Sequence, residues 1–310
     1  MPPPVLPPTW EGTMPAAGLR FHVVRYDPPA PEAGRAPVLL LHGFPQTHYC
    51  WRHVAGPLAR RTGRAVYAVD TKGNGASDRP RPTGRTPLGR YDVTRQVEEL
   101  LALLDALGIE QIAVVGHDWG GVLAYLLAAT APARVEHLVL IDGPTTLARN
   151  PLRFAYAVAY QIPRLPEWIF RHGGLPLLRA GLRLYQAGRA PVFTVADAAT
   201  YYAPLAAPGG IEAALAVYRS WPRTFPAVAR ARRRPPQMPV LLIWGDRDRA
   251  LPLDVPRRML REIPGGALAI LRDTGHWVPE ERPTAVVRLL TEFLEGAPAA
   301  ALGRLAWTER

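Results

Sequence analysis

In Gly116-His117-Asp118-Trp119-Gly120 a carboxylate stands between two glycines, at the junction of the apolar run Ile112–Val115 and the Ala/Leu-rich stretch Val122–Thr130. Small residues two before and two after the central side chain let the backbone double back and lift that side chain into a cleft. A serine there would suggest attack on an ester or amide, whereas an aspartate suggests attack on an sp3 carbon. The carboxylate is ionised at neutral pH without help, so it can displace a leaving group directly and form an alkyl ester on the protein. Freeing that ester takes a base and an acid to orient it. The loops Gly245-Asp246-Arg247-Asp248 and Asp273-Thr274-Gly275-His276-Trp277 offer both.

The elements around these residues place them together. Leu19–Val24, Val38–Leu41, Ala65–Val69, Ile112–Val115, Val135–Ile141, Pro239–Trp244 and Leu268–Leu271 look like strands, several of them continuous apolar runs of the kind buried in a parallel sheet. The apolar spacing turns helical over Thr94–Leu107, which stops at Gly108, and again over Val122–Thr130 and about Thr284–Leu294. This alternation predicts βαβ units in a mostly parallel, doubly wound sheet. Ligands of such sheets bind outside the carboxyl ends of the strands. His42-Gly43-Phe44-Pro45, Asp118, Asp248 and His276 each follow a strand.

From about Pro144 to Pro236 the pattern changes to helical segments punctuated by Pro and Gly, with no convincing strand. The expected organisation is a core of residues 1–143 and 237–310 with a helical lid, 144–236, inserted in it. Over 310 residues the hydrophobic content is 48%, ample for a sizeable core. The formal charge of +11 comes almost entirely from arginine, Lys72 being the single lysine. The basic run Arg230–Arg234 reads as a solvated helix end before a proline stop, because no stacking aromatics are interleaved with it, so no nucleic-acid partner is expected. Cys50 stands alone, excluding an intramolecular disulfide. The start, Met1 to Pro8, lacks the features of a leader, and no apolar run reaches membrane-spanning length, so a cytoplasmic protein without a membrane span is expected. The tail from Ala297 reads as a loosely packed helix or a frayed end.

Together, His42-Gly43-Phe44-Pro45, the turn Asp70-Thr71-Lys72-Gly73-Asn74-Gly75, the Asp118 turn, the Asp248 loop and Gly275-His276, in this order from about Leu19 to Leu294, resemble the α/β-hydrolase fold in its epoxide hydrolase and haloalkane dehalogenase branch. The resemblance implies Asp118 as nucleophile, His276 as base and Asp248, three residues after Gly245, as the acid; Asp246 competes for that last role. Lys72 departs from the arginine more usual in the Asp-x-Arg-Gly-x-Gly turn. His42 and His117 are expected to support the turns, while His22, His48, His53, His137 and His172 carry no expected role.

The two branches differ in the leaving group. An epoxide needs a proton donor at its oxygen; a halide needs weak donors such as indole N–H groups. The lid segments Arg153 to Pro163 and Gly209 to Arg219 resemble those from which epoxide hydrolases donate paired tyrosines. Tyr156, five residues before Gln161, matches the first, and Tyr218, before Arg219, the second. A phenol stays protonated at pH 7 and can donate as the C–O bond breaks. Tyr160, Tyr185, Tyr201 and Tyr202 are the competing lid aromatics. Trp119 could serve a halide, with Trp168 or Trp221 as a second indole, but Phe44 stands where one dehalogenase group has its asparagine.

The resemblance therefore implies an epoxide hydrolase acting through an ester on Asp118, with the backbone N–H groups of Phe44 and Trp119 as an oxyanion hole. The alternatives are a haloalkane dehalogenase and a non-catalytic ligand-binding relative. The expected partners are a small apolar epoxide and water, with no metal or organic cofactor, in a monomer or homodimer.

Overall fold

The computed structural model describes residues 2–30, 32, 34–81, 91–146, 148, 150, 155–188 and 190–305. Eight strands, β1 (Trp10–Ala16), β2 (Leu19–Tyr26), β3 (Val38–Leu41), β4 (Val66–Val69), β5 (Ile112–His117), β6 (Val135–Ile141), β7 (Val240–Gly245) and β8 (Ala267–Leu271), form one sheet. Their order is β1-β2-β4-β3-β5-β6-β7-β8. β2 runs antiparallel to both of its neighbours, and every other pair is parallel.

The continuous apolar runs are explained by the two covered faces of the sheet. Successive side chains point to opposite faces, so Leu40, Ala68, Val115, Ile141 and Ile243 enter one core with helices α1 (Ala55–Thr62) and α11 (Pro283–Leu294). Leu39, Leu41, Val69, Val114, Leu140 and Leu242 enter the other with α2 (Val93–Ala106) and α3 (Trp119–Thr130). Each fully buried Leu or Ile contributes roughly 1.5–3 kcal/mol. The sequence pattern did not mark β1, an edge strand whose Gly12 and Pro15 break the alternation and which pairs only with β2. Nor did it mark α1 and α9 (Asp254–Arg261), whose arginines dilute the apolar spacing.

Between β6 and β7 lie α4 (Ala155–Ala159), α5 (Leu165–Tyr185), α6 (Val195–Ala206), α7 (Gly210–Arg219) and α8 (Trp221–Ala231), with no strand among the described residues. Arg153 and Phe154, at the start of the first tyrosine segment, lie outside them. α5 bends at Gly174, whose backbone (φ 55°, ψ −151°) is not helical. Arg52 ties this insertion to the sheet domain, reaching Asp197 of α6 at 3.1 Å and Glu280 of the short helix α10 (Val278–Glu281) at 2.6 Å. α8 ends at Ala231, leaving Arg233 and Arg234 exposed just before Pro235. After α11, α12 (Ala299–Leu305) buries Leu302 against the core; residues 306–310 are outside the described set. Among the described residues no helix is long and apolar enough to cross a membrane.

Lys72 is buried with Glu99, its Nζ 2.8 Å from Oε1 and 2.6 Å from Oε2. Removing one partner of a buried pair strands the other charge. Lys72→Met should therefore destabilise the fold by about 3 kcal/mol, read as a lower urea midpoint at unchanged slope. Arg95, which also reaches Glu99 at 3.1 Å but is mostly exposed, offers only partial compensation.

Candidate active site

Asp118 follows β5 directly and begins α3 with φ 51° and ψ −118°. Such a backbone costs a non-glycine residue about 1–3 kcal/mol and persists only where its surroundings dictate it. Here the surroundings are other backbones. A Cβ on Gly116 would lie 2.1 Å from the Gly120 oxygen, and one on Gly120 would lie 2.2 Å from that of Leu41. Both glycines are thus required by close approach, and the turn they allow lifts Asp118 above the carboxyl ends of the strands.

Two backbone donors meet the carboxylate. Phe44 N–H donates to Oδ1 at 3.0 Å, and Trp119 N–H also hydrogen-bonds the group. On the other oxygen, His276 Nε2 stands 3.6 Å from Oδ2. Burial works to raise the Asp118 carboxyl, but chiefly His276, with the Trp119 N–H, outweighs it and holds the group below its ordinary value.

His276 faces a second carboxylate. Its Nδ1 is 2.8 Å from Asp248 Oδ2, and Asp248 Oδ1 accepts from the backbone N–H groups of Ala250 (2.7 Å) and Leu251 (2.9 Å). The competing Asp246 instead accepts from Thr274 N at 3.2 Å. Burial would lower the imidazole, yet the charges of Asp248 and Asp118 raise it well above 6.5. Both carboxylates therefore favour the protonated form of the imidazole that lies between them.

Above them lies a cavity of about 530 Å3, lined by Asp118, His276, Phe44, Tyr156, Tyr160, Tyr185 and Tyr218 and by aliphatic side chains of α5. A second cavity of about 60 Å3 shares Asp118, Tyr156 and Tyr218 with it and is also bordered by Trp119 and Trp221. Of the competing tyrosines, Tyr201 is fully buried and donates to Glu280, and neither it nor Tyr202 lines either cavity. Tyr160 and Tyr185 border only the larger. Burial, reinforced by the Asp118 charge, pushes the Tyr156 phenol well above 10; burial, Tyr156 and Asp118 do the same to Tyr218, which also hydrogen-bonds Trp119. Trp168 is 57% exposed and lines neither cavity, whereas the Trp221 ring is 6.5 Å from that of Trp119.

Residues 36–283 match the family model described as the alpha/beta hydrolase fold. The chain belongs to the α/β-hydrolase fold family. This α/β-hydrolase is similar to Epoxide hydrolase A of Mycobacterium tuberculosis, 31% identical over 90% of this chain and 95% of that protein. It is also similar to the AB hydrolase superfamily protein YfhM of Bacillus subtilis, 30% identical over 83% of this chain and 90% of that protein. Among solved structures, an epoxide hydrolase from an endophytic Streptomyces superposes with a TM-score of 0.78 at 29% identity, covering 93% of this chain and 95% of the other.

The α/β-hydrolase site also contains a support the sequence reading expected, His117, and others that it passed over. His117, kept neutral near a pKa of about 4 chiefly by burial, donates from Nε2 to the His276 carbonyl at 2.8 Å. His276 N–H in turn donates to the Tyr185 carbonyl at 2.9 Å. Glu281 accepts from the N–H groups of Gly275, Ala187 and Trp277, clamping the histidine loop to the end of α5. Asp142, at the end of β6 with φ 41°, accepts from Gly245 N at 3.2 Å; burial and then the Asp248 charge keep its carboxyl well above the usual range. A buried carboxylate directly after a strand was the available signal. His42 supports its turn as expected, its Nε2 accepting from Thr71 N at 3.1 Å. His22 and His48, given no role, both hold the buried Asp70, each through Nδ1 at 3.0 Å.

Among the described residues, Glu11, His22 and His48, and separately His117, Asp142 and His276, bring one potential ligand atom each within 4.8 Å of one another. Their imidazoles are already engaged by Asp70, Glu11, Asp248 and the His276 carbonyl.

Because His276 is raised by both carboxylates, Asp118→Asn should lower its midpoint in an imidazole NMR titration. The native value lies above the ordinary 6.5, so the pairing stabilises the fold fully below about pH 6.5 and loses that contribution as pH rises through the raised value. Asp118→Asn should make that loss smaller and complete at lower pH in urea unfolding.

Proposed function

We propose that the protein is an epoxide hydrolase that turns an apolar epoxide into a vicinal diol through an ester on Asp118. The observation that carries this reading is the pair of phenols, the partly buried Tyr156 and the buried Tyr218, bordering both cavities together with the Asp118 carboxylate. A lid formed by residues 144–236 supplies them to a core of 1–143 and 237–310. The pair is tied together from behind. Gln161 Nε2 donates to the carbonyls of Ala157 and Tyr218, each at 3.0 Å. Arg219 donates to the Tyr160 carbonyl at 3.0 Å and pairs with Glu167 at 2.6 Å.

In the first step Asp118 Oδ2 attacks one ring carbon, the C–O bond to that carbon breaks, and a phenol proton passes to the released oxygen. Asp118 is now a neutral ester. His276 thereby loses one of the two carboxylates that raise it, and its proton can return to the tyrosinate. The neutral imidazole is then a base at the moment one is needed. It takes a proton from water, whose oxygen adds to the ester carbon. The oxyanion forms on Oδ1, to which the Phe44 N–H already donates, with the Trp119 N–H also on this carboxyl group; each such donor lowers the barrier by about 3–4 kcal/mol. Collapse expels the diol oxygen, which takes the carboxyl proton, leaving Asp118 ionised and His276 protonated as at the start.

A second reading, a haloalkane dehalogenase, rests on Trp119 and Trp221 standing together at the smaller cavity beside Asp118. It shares the ester and differs in needing no phenol. The double variant Tyr156→Phe/Tyr218→Phe should lose about 100-fold or more of epoxide turnover in a diol assay, while a dehalogenase would keep most of its halide release. His276→Gln should accumulate enzyme whose Asp118 peptide is heavier by the mass of the epoxide. A folded His276→Gln protein that gains no mass would contradict the two-step scheme.

A further inference from the structure

We infer that the substrate is an epoxide with unequal arms on its two ring carbons, one long and apolar and the other of one or two carbons. The inference rests on the epoxide reading above and concerns the shape of that site. Asp118, Tyr156 and Tyr218 belong to the walls of both cavities, so the reacting centre sits at a waist between them. An epoxide whose oxygen meets the phenols and whose ring carbon meets Asp118 must send its substituents to the two sides of that waist.

The two sides differ in size and in access to the base. On the α5 side the cavity measures about 530 Å3 and carries Ile169, Leu177, Leu178 and Leu182 on its walls. On the α8 side it measures about 60 Å3, between Val122, Trp221, Val228 and Leu251. Thr145, Thr146 and Thr224 also border the small side, the Thr224 hydroxyl being committed to the Ser220 carbonyl at 3.2 Å. A dry cavity of about 150 Å3 accepts benzene; on that scale the small one takes roughly two carbons. His276 borders only the larger cavity. A water in the small cavity is out of reach of the base, so the hydrolytic water belongs on the large side and the small side is left for substrate carbon.

Turnover of the positional isomers of epoxydecane by the purified protein tests this. The 2,3-isomer, with a methyl short arm, should be opened with a kcat/KM at least about tenfold above that of the 5,6-isomer, whose two butyl arms cannot both fit; one methylene too many in such a pocket costs on the order of tenfold or more. Val228 adjusts the small cavity in both directions. Val228→Phe should lower the ratio of 2,3- to 1,2-isomer kcat/KM, and Val228→Ala should raise the ratio of 3,4- to 2,3-isomer. Equal turnover of the 2,3- and 5,6-isomers, or a shift of all isomers alike in both variants, would overturn the inference and leave the epoxide reading standing. A folded protein that opens no isomer would overturn both.

Discussion

A single imidazole held between two carboxylates is the arrangement on which the rest of this molecule depends. His276 faces Asp248 at 2.8 Å and Asp118 at 3.6 Å. Each group comes from a different strand end, so the sheet must bring β5, β7 and β8 into register before any of them meets. The fold fixes the outer carboxylate tightly, through the Ala250 and Leu251 N–H groups, and leaves the inner one facing the cavity. That asymmetry sets Asp248 behind the imidazole and Asp118 in front of it, on the cavity wall, as the proposed roles require.

On the proposed mechanism the charge balance of the site gives the reaction its order. While Asp118 is ionised, both carboxylates raise His276 and favour its protonated form. An ester on Asp118 would remove one of those charges and favour the neutral imidazole that the proposed second step needs, with no movement of a loop. The two phenols lie in the same electrostatic setting, where burial and the Asp118 charge hold their protons.

Much of this was legible in the sequence because it is local. The glycine spacing around Asp118 reports a turn in which Gly116 and Gly120 have no room for a Cβ, and the runs Val38–Leu41 and Ile112–Val115 report strands covered on both faces. Tyr156 and Tyr218 were legible only through neighbours, Gln161 and Arg219, whose hydrogen bonds join α4 and α5 to α7. What could not be read is what depends on long-range packing. Asp142 looks like any aspartate after a strand until burial and Asp248 act on it, and Glu281 gains its part only because the end of α5 passes beside the histidine loop. The two cavities are likewise a product of how α5 and α8 lie over the strand ends, and no spacing of residues encodes their volumes.

The ester on Asp118 is the central claim, and isotope transfer tests it most directly. In a single turnover in water enriched in 18O, with protein in excess over epoxide, the diol should carry its new oxygen from Asp118 and so remain unlabelled, while the Asp118 peptide gains 18O by mass spectrometry. Label found in the diol from the first turnover, with none on Asp118, would mean that water attacks the substrate directly and would contradict the account.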